Sequence, residues 1–483
     1  MTLPIAPTDP NAWSPSRPPR PAYTGAEEGG FAYPTVIRRW PVIVVDVINA
    51  VLARDASDPA VHAEGSKVIA RLSALKYELT RMRPASVEAF SSSADLDDES
   101  KDAKGDVHQE LEQFNAFWKA AIQEHFPRHS FLSASWLFSE CMLYARIHAA
   151  VNSQPTWRGY DVFLGDKKKG FRDLNDKVLR IAETHQGLMS NLQIHELTQT
   201  DFKRHLHDLF LLSLWGNATD LSMFAGLSAN EIEAMRAGAS GEENILSNHL
   251  PEILDYIATS PRFAQVPNAR VDFILDNSGF ELFSDLLLAD FLHQTRRVDL
   301  TVFHCKTIPW FVSDTLPTDV EWLLRALEDP ASFFSPGGAE EMSPVGVAAL
   351  QSLAARCRGY LASGAWRVTA DPVWCTFWAH HHLKTEAAAL FDEWKRESAL
   401  CIFKGDLNYR KLVYDCKWES TVAFREAIGA VAELPAVVSL RTNKSDPIVG
   451  LAEGVEGRLL AEGNKDWRWS GKLAVIEFCK NDS

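Results

Sequence analysis

Residues 271–281 read Val271-Asp272-Phe273-Ile274-Leu275-Asp276-Asn277-Ser278-Gly279-Phe280-Glu281. A short run of strand formers is followed by a polar turn closed by glycine, and then by the start of an apolar helix. This is how a strand feeds a helix through a tight loop. Upstream, from Tyr23 to about Tyr256, apolar residues recur mostly at helical spacing. Phe131, Trp136, Leu143, Ile147 and Val151, for example, predict a helix over Phe131–Val151. Downstream, further strand-like runs appear at Val298–Cys305, Leu400–Phe403, Val437–Leu440 and Leu473–Phe478. Helical stretches at Phe280–Gln294, Val320–Leu327 and Val345–Ala362 lie between most of them. Strands alternating with helices predict an α/β fold built on a mostly parallel sheet. The division expected is a proline-rich tail over 1–22, extended or disordered, a mainly helical part over 23–265, and an α/β core over 266–483. The serine-rich, acidic stretch Ser91–Asp106 reads as a surface loop, and no internal repeat is present.

The 483 residues carry a net charge of −15, and such an acidic surface repels phosphodiester backbones. General nucleic-acid binding is therefore excluded, whereas a small phosphorylated ligand needs only a few local cations or a metal. The seven cysteines are scattered, odd in number and without a Cys-x-x-Cys, which argues against a disulfide framework or structural zinc. The most apolar stretch, Pro41 to Ala53, is broken by Asp46 and Asn49 and is shorter than the ~20 residues of a membrane span. Prolines stand where a signal peptide has its cationic and apolar segments. The expectation is an intracellular protein, cytoplasmic or also nuclear, with no membrane or nucleic-acid partner; oligomeric state is not legible, since surface patches need coordinates.

In an open α/β sheet, ligands bind beyond the carboxyl ends of the strands. Four successive strand ends here carry acids, carboxamides and cations: Asp276-Asn277-Ser278-Gly279, then Lys306 through Asp314, then Lys404-Gly405-Asp406-Leu407-Asn408-Tyr409-Arg410-Lys411, then Arg441-Thr442-Asn443-Lys444. Taken singly, each is more often a turn, a helix cap or a solvated charge; together they converge. Asp276, Asn277 and Asp314 are hard oxygen donors suited to Mg²⁺ or Mn²⁺. Gly279 permits the turn that brings the first two towards one ion. Arg410, Lys444, Arg441 and Lys306 are cations for a phosphate, and Asp406 and Asn408 can hydrogen-bond sugar hydroxyls. Asn217 and Asp220 fall on one helix face, and Glu140 sits in the apolar helix around Trp136, either as a paired structural acid or supporting the site from behind. His380-His381-His382 is a poor metal site, because sequence neighbours do not share a face.

The Asp-Asn-Ser-Gly-Phe-Glu turn at 276–281, Pro-Trp-Phe-Val-Ser-Asp at 309–314 and Gly-Asp-Leu-Asn-Tyr-Arg-Lys at 405–411 resemble motifs of the damage-control phosphatase family. So do Leu-Trp-Gly-Asn-x-x-Asp-Leu-Ser at 214–222 and Trp-Leu-Phe-x-Glu-Cys at 136–141, while Arg-Thr-x-Lys at 441–444 resembles the signature of its subfamily III. The resemblance covers nearly everything after the proline-rich tail. It implies a helical N-terminal part on a three-layer, Rossmann-like α/β/α core, and a metal-dependent phosphatase of sugar phosphates such as fructose 1-phosphate. By the same resemblance the metal ligands are Asp276, Asn277 and Asp314, with Asp276 and Asp314 catalytic. The substrate-binding residues are Asp276, Asn277, Asp406, Leu407, Asn408, Tyr409, Arg410 and Lys444. Mn²⁺, Ni²⁺, Co²⁺ and Mg²⁺ are all family metals. Glu281 matches a position assigned to S-adenosylmethionine in a methyltransferase account of the family. The histidines of Cys375–His382 depart from the pattern, which bears on that loop rather than on the chemistry. Two other functions stay open: an S-adenosylmethionine-dependent protein-glutamate O-methyltransferase, for which no Gly-rich donor loop follows any strand, and a sugar-phosphate sensor without turnover.

Overall fold

The computed structural model describes residues 13–54, 58–81, 106–191, 197–216, 241–264, 269–335 and 342–481. One sheet holds β1 (Ile245–Asn248), β2 (Arg270–Ile274), β3 (Leu300–Cys305), β4 (Trp366–Ala370), β5 (Ser398–Lys404), β6 (Ala436–Thr442) and β7 (Ala474–Lys480). Its order is β1-β7-β6-β5-β2-β3-β4. Strands β2 to β6 run parallel, β7 pairs antiparallel to β6, and β1 pairs parallel to β7. Every residue of β2, β5 and β6 is buried, as in a parallel sheet covered on both faces.

Because successive strand residues point to opposite faces, each face has its own core. Val271, Phe273 and Ile402 pack with the helices Asn175–Asn191, Gln199–Trp215, Phe280–Gln294 and Pro344–Ser363. Ile274, Cys401 and Phe403 pack with Ala388–Glu397 and Gly405–Leu412 on the other face. The result is a three-layer arrangement. A third core belongs to the helices Trp40–Ala53, Pro59–Arg81, Asp106–His125 and Trp136–Val151, and it takes in Trp310, Cys375 and Leu407 from loops at the strand ends. The helical part is thus seated on the carboxyl edge of the sheet.

Strands β1 and β4 were not anticipated. Both lie at sheet edges, and β4 is largely unburied, so neither carries a strong apolar pattern. The helix expected from Phe131 begins at Trp136; Phe131 packs on Trp40 from the preceding loop, ring centroids 6.0 Å apart. Within the proline-rich segment, Ala22 bridges to Cys416, and the Trp13 ring lies 4.8 Å from His381 and 5.7 Å from Tyr414. Of Ser91–Asp106, only Asp106 is among the described residues, and it opens a helix. All seven cysteines are buried, and none is in a disulfide. Among the described residues no helix is long and apolar enough to cross a membrane.

Asp272 locks the middle of the sheet. Its fully buried carboxylate accepts from Arg270 at 2.7 and 2.9 Å, from His304 Nε2 at 2.8 Å and from Trp394 Nε1 at 3.0 Å, with Ser398 adding a further bond. Burial alone would raise its pKa, but His304 and Arg270 outweigh it and hold the carboxyl below the usual carboxylate range. With the folded pKa depressed, the contribution is complete above the unfolded value of about 4 and is lost as pH falls through the folded one. Asp272→Asn is expected to cost about 3–5 kcal/mol at neutral pH, because Arg270 loses its buried partner and keeps only the more exposed Glu393 and Glu397. It should also flatten the acid side of the stability–pH curve. Urea unfolding from pH 2 to 7 is the check, and coincident wild-type and variant curves would remove this role from Asp272.

Candidate functional site

The four strands whose ends carry the expected residues, β6, β5, β2 and β3, are neighbours in the sheet, so their carboxyl ends form one continuous edge. Beyond β3 the chain doubles back beside the loop that leaves β2. Thr315 N–H donates to the Asp276 carbonyl at 2.8 Å, Ser278 N–H donates to the Ser313 carbonyl at 2.8 Å, and Asn277 bridges to Asp314. This brings the three expected metal ligands together. The Asn277 amide donates to Asp276 Oδ2 at 2.7 Å and to Glu281 Oε2 at 2.9 Å, and its Oδ1 accepts from the Ser313 hydroxyl.

Two glycines make the arrangement possible. Gly279 turns the chain into the helix Phe280–Gln294 with φ 72°. Gly405 has φ 79°, and a Cβ there would overlap the Asp276 carboxylate, so the backbone just beyond β5 approaches that acid as only glycine allows. The adjacent Phe311 and Val312 also have positive φ, 44° and 71°, which bulky side chains rarely adopt. Phe311 is held there by stacking on Tyr144, centroids 4.7 Å apart. Beside Asn277, Glu281 and Ser313 a cleft of about 320 Å³ opens towards Lys167 and Phe171.

The charges are crowded and almost dry. Asp276 is 5 % exposed and Asp314 is 1 % exposed. Burial pushes Asp276 well above the usual carboxylate range; Glu281 and Asp314 add to the rise, and Lys306 and Lys444 oppose it. Burial likewise pushes Asp314 up to about 6 against the pull of Lys306. Lys306 Nζ lies 3.3 Å from Asp314 Oδ2 and donates to the Leu275 carbonyl at 2.8 Å. Burial would depress the Lys306 ammonium, yet Asp314 and Asp276 hold it above its ordinary value. Burial lowers Lys444, partly offset by Asp276, Glu281 and Asp406. Asp406 Oδ1 accepts from Arg441 Nε at 2.8 Å, from Ser445 Oγ at 2.9 Å and from the Lys444 N–H at 3.2 Å, which sets the loop that carries Lys444.

The stretch 406–410 departs from expectation. Arg410 was expected to meet phosphate, but its guanidinium is bound to Asp415 at 2.9 and 3.1 Å and to Glu140, and lies 3.9 Å over the Trp136 ring. Glu140 is accordingly a paired structural acid. Leu407 enters the core of the helical part, and the Tyr409 hydroxyl accepts from Val449 N–H at 2.9 Å with the ring buried. Asn408 was expected to read a sugar; instead its Nδ2 donates to the carbonyls of Lys404, Ile274 and Leu275, and its Oδ1 lies 3.2 Å from His380 Nε2. These side chains face inward because the helix Gly405–Leu412 is wedged between two cores, leaving only Asp406 half-buried in its first turn. Arg441 braces the same turn, donating to the carbonyls of Pro447 and Ser445. Asn217 and Asp220 lie outside the described residues.

Sequence reasoning missed the group beneath Glu281. Lys404 Nζ lies 2.8 Å from Asp285 Oδ1 and 3.3 Å from Glu281 Oε1, and donates to Ser213 Oγ at 2.6 Å. Burial pushes Asp285 up to about 6 despite the pull of Lys404. The signal was there: a lysine ending an apolar strand, and two acids one turn apart, Glu281 and Asp285, in a mostly apolar helix. His380, read above only as part of a poor metal tract, is a buried partner of Asn408, and burial holds it well below the usual histidine pKa.

Among the described residues no group of three His, Cys, Asp or Glu is placed to hold a metal. The expected set is two carboxylates and a carboxamide, and it suits a hard divalent cation. Asp276 and Asp314 are buried, Asp314 Oδ2 has an ionic partner in Lys306 at 3.3 Å, and the mutual repulsion of Asp276, Glu281 and Asp314 is of the kind a cation relieves.

The model of the damage-control phosphatase ARMT1-like domain matches residues 35–460. Damage-control phosphatase ARMT1 of Danio rerio is 30% identical over 461 residues, covering 93% of this chain and 95% of that protein. The Xenopus laevis protein of the same name is 31% identical over 464 residues, covering 93% and 97%. A crystal structure of a DUF89 family protein from Pyrococcus horikoshii aligns over 83% of this chain and 99% of that one, at 11% identity and a TM-score of 0.36.

Gly405→Ala tests the close approach of β5 to Asp276. The added methyl meets the carboxylate in a backbone conformation that already disfavours alanine. Activity should fall at least about a hundredfold if the Asp276 carboxylate is displaced, while circular dichroism shows a folded chain. Full activity in the folded variant would mean that Asp276 need not occupy this place.

Proposed function

The chain belongs to the ARMT1-like damage-control phosphatase family, and on that footing we propose that it hydrolyses sugar phosphates, fructose 1-phosphate and related ketose phosphates among them, with a divalent cation held by Asp276, Asn277 and Asp314. The observation that carries this reading is the burial of Asp276, Glu281 and Asp314 beside Lys306 and Lys444 at one sheet edge. A protein that buries like charges at such cost holds them for a ligand of matching charge. Mn²⁺, Co²⁺, Ni²⁺ or Mg²⁺ there would polarise the phosphoryl group and offset charge developing on its oxygens.

The protein's own groups do the rest. Lys444 takes a phosphoryl oxygen, on a loop set by Asp406 and Arg441. Lys306 keeps Asp314 turned towards Asp276 and Asn277. The amide of Asn277, fixed by Glu281 and Ser313, orients the Asp276 carboxylate. Hydrolysis breaks the phosphorus–oxygen bond to the sugar and adds water across it, giving inorganic phosphate and the free ketose; a water or the Asp276 carboxylate supplies the attacking oxygen. Glu281 is committed to Asn277 and Lys404, which favours this role over contact with a methyl donor.

Metal-stripped protein assayed for phosphate release from fructose 1-phosphate, with and without Mn²⁺ or Co²⁺, decides the matter. Turnover is expected only with metal, and to fall at least about a hundredfold in Asp276→Ala. Undiminished, metal-dependent turnover in that variant would refute the site. No release with any of the four metals from folded wild-type protein would refute the activity.

A further inference from the structure

The cleft of about 320 Å³ beside the acid cluster has three walls: the turn 277–281, the pair Val312 and Ser313, and one face of the helix Leu164–Arg172. It opens onto the expected metal ligands, since Asn277 in its wall donates to Asp276 at 2.7 Å and to Glu281 at 2.9 Å. The helical wall is pinned to the same place. Lys167 Nζ donates to the Asp314 carbonyl at 3.0 Å, and its charge is taken by Asp161 at 3.0 Å and Asp319 at 2.8 Å. Lys167 therefore lines the cleft with its ammonium already committed. Two turns of chain pack directly here: a Cβ on Gly279 would lie 3.5 Å from Phe171 Cβ. Val312 completes the wall with φ 71°, an outlier for a β-branched residue. Backbone strain of this kind gathers where ligands are clamped.

Asp166 stands next to Lys167 in the first turn of that helix and lines the cleft with it. It is exposed, and among the described residues its carboxylate forms no hydrogen bond or ion pair. Lys169, three residues on, is bound to Asp173 at 2.9 Å instead. Among the lining residues there is thus an open carboxylate and no uncommitted cation. Such a surface repels a phosphate and suits hydroxyl groups, because an ionised carboxylate only accepts hydrogen bonds and has two oxygens to meet neighbouring donors. We propose that this cleft takes the hydroxylated carbon chain of the substrate, and that Asp166 is the specificity residue accepting hydrogen bonds from its hydroxyls. This rests on the phosphatase reading above and extends it. With the phosphoryl group at the acid cluster, Asp166 sets the direction of the molecule, binding one end and repelling the other. The cleft is at the small end of the range for ligand sites, which suits a single monosaccharide unit.

The test compares full-length wild type, Asp166→Ala and Asp166→Asn in steady-state phosphate release from fructose 1-phosphate with Mn²⁺. Losing a charged acceptor for the sugar hydroxyls should raise KM about tenfold in Asp166→Ala. The value of kcat should change far less, and Asp166→Asn, which keeps one acceptor oxygen, should recover part of the loss. Inhibition by inorganic phosphate, which has no carbon chain, should not weaken in either variant. A merely structural role would not separate sugar phosphate from phosphate in this way. An unchanged KM in Asp166→Ala, or a KM and a phosphate inhibition constant that rise together, would overturn the proposal and leave the phosphatase reading intact. Should wild type release no phosphate, the phosphatase reading fails instead. Calorimetric titration of wild type and Asp166→Ala with fructose 1-phosphate then judges the cleft by itself: weaker binding in the variant upholds it, and equal affinity, or no binding by wild type, overturns it.

Discussion

Everything at the sheet edge is organised by one electrostatic constraint. Asp276, Glu281, Asp285 and Asp314 are taken out of water within reach of one another, and each must be balanced by charge or hydrogen bonds. The balancing ammonium groups come from places where the backbone is hardest to move: Lys404 ends β5, Lys306 directly follows β3, and Lys444 lies just beyond β6. A lysine is a flexible point charge, but with its Cα in or next to a strand of a parallel sheet its reach is confined. The sheet thus fixes where the positive charge can go, and the acids gather around it. Gly405 has no side chain because Asp276 uses the space, and Phe311 and Val312 accept left-handed backbone because Asp314 must return to Asn277.

The helical part is bound to this edge by more than apposition. Trp310 and Leu407 leave two of the four strand ends and enter its core, and Arg410 crosses over to pair with Glu140 on the helix Trp136–Val151. A phosphatase gains from such a cover, because charges act more strongly where water is excluded. The motifs that resemble the family's are therefore of two kinds in this chain. Asp276, Asn277, Asp314 and Lys444 gather at the acid cluster, whereas Leu407 and Arg410 tie the strand end to the helical part, and Asn408 and Tyr409 brace it within the α/β part.

Much of the fold could be read from the chain because buried parallel strands leave continuous apolar runs, as in Val271–Leu275 and Leu400–Phe403, and because glycine after a polar turn announces the helix to come. The edge strands β1 and β4 lacked that signature; half-wet edges tolerate polar residues, and Arg367 and Thr369 hide the pattern. The residues that gather at the acid cluster were legible where polar residues interrupt a strand's exit, as with Asp276, Asn277, Asp314 and Lys444. Direction was not legible. Nothing local says that Arg410 turns to Asp415 and Glu140, since Glu140 is supplied by a distant helix. Lys404 and Asp285 escaped for the complementary reason: within an apolar strand and an apolar helix, a single charge looks like an error until its partner is seen.

The position of β7 has a consequence for how the chain is made. Among the described residues strand β1 has its only sheet partner in β7, with Ile245 opposite Ala474, and β7 is inserted between β1 and β6. On the ribosome, β1 emerges long before the residues that will cover its flank, and β6 too keeps an open edge until the same strand arrives. The edge of β1 stays unsatisfied through nearly the whole second half of synthesis and that of β6 until β7 follows it, which is when pairing with a neighbouring chain is easiest. Short length limits the hazard at β1, and the antiparallel entry of β7 closes both edges in one event. A nascent chain stalled before residue 474 should therefore be a client for chaperones, however complete its acid cluster has become.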